Sequence, residues 1–138
     1  MRILPLLVFG FLLPSMQAAD LEVVVEGIEK IEGDLRIGIF DCEEDFRTNP
    51  LEQSTTIEIT EVGPVTTLIE GLPPGIYAIA VVWDLNKNGE VDTTGIFKRP
   101  TEPVAFSNAP KIVFGPPKFE DCRFELTEEG ERLVMTLE

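Results

Sequence analysis

From Gly71 to Trp83 the chain makes a Leu-Pro-Pro-Gly turn and then runs Ile-Tyr-Ala-Ile-Ala-Val-Val-Trp, apolar at even and odd positions alike. Successive side chains of a strand point to opposite faces, so a strand with apolar residues on both has to be covered on both. Ile76–Trp83 is therefore expected to be a central strand, not a hairpin at the rim. The two prolines fix φ ahead of it and Gly75 supplies conformational freedom, so the turn sets its register. Small Ala78 and Ala80 would let a facing sheet approach closely.

Around this strand the pattern is of period two. Leu21, Val23 and Val25 alternate with Glu22, Val24 and Glu26 over Asp20–Gly27, and Leu35, Ile37 and Ile39 alternate over Asp34–Phe40. Each reads as a half-buried strand, and Gly33-Asp34 between them suggests a hairpin. Thr55–Thr60 and Val65–Glu70 are β-branched runs either side of Gly63-Pro64. Lys111–Gly115, Cys122–Thr127 and Arg132–Glu138 complete the series, the last with Leu133, Met135 and Leu137 as its buried row. Asp41–Ser54 reads as a polar loop with room for one helical turn near Glu43–Phe46. Thr93–Lys111, with Pro100, Pro103 and Pro110, reads as the longest irregular connection. Short strands with Gly/Pro turns and no helical periodicity imply an all-β antiparallel β-sandwich of seven or eight strands.

The N-terminus reads as a secretory signal rather than as part of this fold. Arg2 is its charged start, Ile3–Leu13 its apolar run and Pro14–Ala19 its small-residue end, so cleavage fits after Ala18 or Ala19. The run is shorter than the roughly 20 residues of a membrane span. An uncleaved anchor is the competing reading. The expected division is residues 1–19 as signal peptide and 20–138 as one domain, with no membrane span after cleavage and a periplasmic or extracellular location.

Setting aside nineteen of the 138 residues leaves 119, enough for one core. Whole, the chain has 25 acidic against 11 basic residues, a net charge of −14. That field repels phosphate backbones, so nucleic acid is excluded as a partner, and it keeps an exported domain soluble. Cys42 and Cys122 are the only cysteines. In an exported chain an even pair is expected to form one disulfide, limiting unfolded-chain entropy by about 4 kcal/mol at most. Two free thiols or a metal pair are the alternatives.

Candidate chemistry concentrates in Asp84-Leu-Asn-Lys-Asn-Gly-Glu-Val-Asp92. Asp84, Asn86, Asn88, Gly89 and Asp92 match positions one, three, five, six and nine of an EF-hand type loop, in which alternate oxygens ligate Ca²⁺ and the glycine allows the reversal. The Glu90 carbonyl would be a further ligand. Position twelve is Gly95, so the bidentate carboxylate is missing, and affinity should be weak, roughly 0.1–1 mM. The same residues also build Asx turns and an Asn-Gly hairpin turn without metal. Both readings stand on sequence.

Trp83, next to this loop, could stack on a sugar or peptide as a ligand-binding residue, or seal the end of the core. Tyr77 is expected in the core with its hydroxyl bonded to backbone, as in sandwich tyrosine corners. The chain has no histidine, which removes imidazole-dependent triads and metal sites, and no catalytic residue is assigned. Paired carboxylates of a carbohydrate hydrolase remain the enzymatic alternative, but the separation of about 5 or 9 Å cannot be read from sequence.

The residues Pro74-Gly75, Tyr77-Ala78, Asp84 through Asp92 and Phe106-Ser107-Asn108, followed by Pro117, Phe119 and Asp121, resemble an exported bacterial family, domain of unknown function 2141. The resemblance covers nearly all of the mature chain. It implies an immunoglobulin-like or transthyretin-like sandwich and carries no established activity. The family usually places histidine before the first loop aspartate and an acid after it, where this chain has Trp83 and Leu85. A binding or structural module of the cell envelope is the resulting expectation, with an envelope protein or glycan as partner.

Overall fold

A computed structural model describes residues 18–91, 93–94, 99–111 and 115–138. Residues 1–17 of the expected leader, Asp92 and most of the expected Lys111–Gly115 strand lie outside them. The strands are β1 (Ala19–Glu26), β2 (Asp34–Phe40), β3 (Thr55–Glu58), β4 (Val65–Leu72), β5 (Gly75–Asp84), β6 (Thr93–Thr94), β7 (Arg99–Pro100), β8 (Val104–Phe106), β9 (Phe124–Leu126) and β10 (Glu131–Thr136). One helical turn, α1 (Phe119–Cys122), precedes β9. One sheet has the order β10-β1-β4 and the other β3-β2-β5-β8, with β9 also on β5; β6 and β7 pair separately. The fold is a mostly β sandwich of these two sheets.

The alternation read from sequence makes the core. Leu21, Val23 and Val25 from β1, Leu35, Ile37 and Ile39 from β2, and Tyr77, Ile79, Val81 and Trp83 from β5 are buried together between the sheets, joined by Ile69, Leu126 and Met135. Fully burying one such aliphatic side chain contributes about 1.5–3 kcal/mol, so these rows dominate the stability. β5 is central as expected, with β2 along one edge and β8 and β9 along the other.

Pairing departs from expectation in three places. β1 and β2 are not a hairpin: β1 pairs with β4 and β10, so both its edges are taken and β2 falls in the opposite sheet. The link between them crosses the end of the sandwich, plugging it with buried Ile28. The sandwich is also not wholly antiparallel, because β10 runs parallel to β1 from Leu21↔Glu131 to Glu26↔Thr136. Finally, the proline-rich connection contains β8, which adds to β5 through Ala80↔Phe106 and Val82↔Val104.

A second apolar cluster roofs the outer face of the five-stranded sheet. Phe40 and Ala78 point away from the core and meet Phe46 of the 41–50 loop and Cys122 of α1, with Ala80, Phe106 and Phe119 packed alongside. Phe46 is the hub, with ring centroids 5.3 Å from Phe40 and 5.9 Å from Phe119, both edge to face. The expected Cys42–Cys122 disulfide is absent; both are free thiols. The Cys42 sulfur is engaged with Asp45 Oδ2 at 3.2 Å, while Cys122 is buried in the roof.

Candidate functional site

β5 delivers the acidic loop at one end of the sandwich. Trp83 N–H donates to the Pro103 carbonyl (2.9 Å), and the Trp83 indole N–H donates to the Glu32 carbonyl (2.7 Å). At 4% exposure and packed in the core cluster, Trp83 sits as the reading in which it seals the core end has it. Gly33, at φ +74°, lies so close to this strand end that a Cβ there would sit 2.5 Å from the Asp84 carbonyl oxygen. Only glycine permits both the backbone and the approach.

Asp84 is itself buried, at 1% exposure, and its carboxylate is the clamp of the loop. Oδ1 accepts the Asn88 N–H (3.2 Å) and Oδ2 the Gly89 N–H (2.8 Å). Asn86 Oδ1 accepts the same Asn88 N–H (3.2 Å), and Asn88 Oδ1 accepts the Glu90 N–H (2.9 Å). Lys87 adopts φ +55° to make the reversal, and its ammonium lies 3.7 Å from Asp34 and 3.6 Å from Glu58. The structure thus brings Asp84, Asn86 and Asn88 together as oxygen acceptors, with Glu90 exposed at the far side. Asp92, the remaining expected ligand, lies outside the described residues.

Reasoning from sequence missed Glu102, 6% exposed, whose Oε2 accepts the Leu85 N–H at 2.7 Å. It arrives on the connection leading into β8, so strand pairing brings it to the loop and no sequence spacing announces it. It supplies a second buried carboxylate beside the base of the loop.

At the opposite end of β5 the Tyr77 hydroxyl donates to the Pro73 carbonyl (2.5 Å), bracing the Pro73-Pro74 turn in the manner of a tyrosine corner. Burial, with Asp41 nearby, pushes the Tyr77 hydroxyl above its ordinary pKa. The Phe106-Ser107-Asn108 segment is a tie. Ser107 Oγ accepts the Ile79 N–H (2.9 Å) and donates to the Cys122 carbonyl, Asn108 donates to the Arg123 carbonyl, and Phe106 packs into the roof. These contacts lock β8 and the approach to β9 onto β5.

Asp41, Cys42 and Asp45 place a sulfur and two carboxylate oxygens within 4.8 Å of one another. The Asp45 carboxylate is engaged locally, by the Cys42 thiol and the Asn49 amide. The Asn49 amide and then the Cys42 thiol hold Asp45 below its ordinary pKa. At Cys42 the Asp45 backbone lowers the thiol pKa, but the Asp45 carboxylate, burial and Asp41 together leave it raised.

Fold and site together define a β-sandwich domain with a buried aspartate organising an exposed Asx-rich loop. The chain belongs to the bacterial family described as uncharacterized protein conserved in bacteria (DUF2141), whose profile matches residues 23–133, from β1 into β10. No curated protein and no solved structure matches it.

Proposed function

We propose that the chain is an exported, non-enzymatic β-sandwich module of the cell envelope, binding or structural in role, whose Asp84–Asp92 loop takes up Ca²⁺ weakly. The observation carrying the loop reading is the meeting of Asp84 Oδ1 and Asn86 Oδ1 on one N–H, that of Asn88. Two side-chain oxygens already converge there, so a hard cation would find donors partly organised. Export is supported by the Arg2, Ile3–Leu13 and Pro14–Ala19 pattern. Since β1 begins at Ala19, cleavage after Ala18 is the one of the two candidate points that leaves the strand whole.

Calorimetric titration of the chelator-treated mature chain with Ca²⁺, followed by melting with and without the ion, tests the loop. Saturable heat and a raised Tm are expected, and Asp84→Ala or Asp92→Ala should abolish the Ca²⁺-dependent gain. An unchanged gain in both variants removes the loop from the reading.

A carbohydrate hydrolase is the rival reading, and the convergence of Asp84 and Glu102 on the base of one loop is what favours it. Both carboxylates, however, accept backbone N–H groups in a structural manner. A screen against glycan and ester substrates separates the two, since binding gives retention without turnover.

A further inference from the structure

The outer face of the three-stranded sheet sets exposed aliphatic side chains beside a group of carboxylates. Along β1 the outward residues are Glu22, Val24 and Glu26. The register sets Val24 between Thr66 of β4 and Val134 of β10, and Glu22 between Leu68 and Arg132. Val24 is 6% exposed, hemmed in by its neighbours, while Leu68 and Val134 are 53% and 49% exposed. Val24 lies beside Val134 across the ladder and diagonal to Leu68, so the three apolar side chains share one outward face, and apolar residues gathered on one face mark a contact surface more than singly scattered ones do.

Beside them is a shallow depression of about 350 Å³ with Leu68 in its lining and Asp20, Glu22, Glu129 and Glu131 around it. Among the described residues lining it Arg132 is the one cation, and its Nε lies 3.6 Å from Glu22 Oε1, against three further carboxylates. At its edge Gly130 approaches Asp20 so closely that a Cβ there would lie 2.7 Å from the Asp20 carbonyl oxygen. A second copy of a chain with net charge −14 would bring like charge against like at this face.

We propose that this face docks a cationic amphipathic segment of a partner protein, its aliphatic side chains on Leu68 and Val134 and its lysines or arginines over the Asp20–Glu22 and Glu129–Glu131 carboxylates. The proposal rests on the binding-module reading above and supplies its partner chemistry; the Asp84 loop takes no part. Charge complementarity would speed and orient encounter, while the apolar contacts set the lifetime of the complex.

The test uses a soluble helical peptide with a leucine stripe flanked by lysines as the probe, titrated into ¹⁵N-labelled mature chain. Amide shifts are expected on β1, β4 and β10, with binding weakened by salt. The Leu68→Ser/Val134→Ser pair should lower affinity about tenfold, as expected for two half-buried aliphatic contacts. Ile76→Ser, exposed on the other sheet, should leave affinity unchanged, and all variants should melt like the parent. Shifts spread evenly over the acidic surface, equal loss in Ile76→Ser, or self-association through this face would overturn the proposal. A chain that takes up Ca²⁺ through its loop yet ignores the peptide would also overturn it, while leaving the loop reading intact.

Discussion

On the five-stranded sheet, Phe40, Ala78 and Ala80 point away from the core and are roofed by Phe46, Phe119 and Cys122. On the three-stranded sheet, Leu68 and Val134 hold the equivalent outward positions and stay about half exposed. Among the described residues, one outer face is closed by the chain's own loop and helical turn, and the other is left with aliphatic side chains among carboxylates. The lesson is that outward apolar residues in a sandwich mean different things according to what the chain supplies to cover them. Among the described residues, the 41–50 loop and α1 serve that purpose on the five-stranded side.

Phe46→Ala breaks the covered face most severely. It removes a ring that touches Phe40, Phe106 and Phe119, and should cost about 3–5 kcal/mol by urea unfolding. Ser107→Ala comes next, at about 1–3 kcal/mol, because the buried Ile79 N–H and Cys122 carbonyl each lose a partner. A parent-like urea midpoint in that variant would show the Ser107 tie to be dispensable.

Alkaline titration sharpens the contrast further. Burial, with Asp121 nearby, pushes the Cys122 thiol up to about 11 from an ordinary 9.0. The folded state therefore holds this proton more tightly than the unfolded state. Its contribution is complete below pH 9 and is lost as pH rises towards 11. Unfolding free energy should fall across that window, and less so in Cys122→Ala. In the native protein below that window, a thiol reagent should modify Cys42 and leave Cys122 protected. The smallest effect belongs to the open face: Leu68→Ser should change stability by no more than about 0.5 kcal/mol. A loss comparable to that of Phe46→Ala would mean that the open face is core after all.

Much of the fold is legible in local pattern. β2 has the expected bounds, β5 extends the expected central strand by one residue at each end, and Tyr77 braces its turn as expected. Partner choice is what the pattern does not carry. Alternation shows that β1 has a buried face, but not that β10 lies parallel on one edge and β4 antiparallel on the other, which depends on contacts forty or more residues away. The same limit explains the roof. Apolar residues on both faces of β5 correctly demand two covers, but the second is a loop and a helical turn whose apolar content is little more than Phe46 and Phe119. At the candidate site, Asp84, Asn86 and Asn88 announce themselves by spacing, whereas Glu102 reaches the loop only through the segment that leads into β8. The cysteine pair misled because an even count states nothing about where each sulfur points.

Native-state amide hydrogen exchange along the roof is the most direct test that the two outer faces differ in kind. The Asn49 N–H bonds the Asp45 carbonyl and the Leu51 N–H bonds the Ile39 carbonyl, anchoring the loop that carries Phe46 to β2. If the roof is part of the cooperative core, both amides should exchange only with global unfolding, with the same free energy as Ile79 in β5. Exchange of Asn49 and Leu51 through a separate, low-energy opening while Ile79 stays protected would show the roof to be detachable, and the contrast between the two faces would fail.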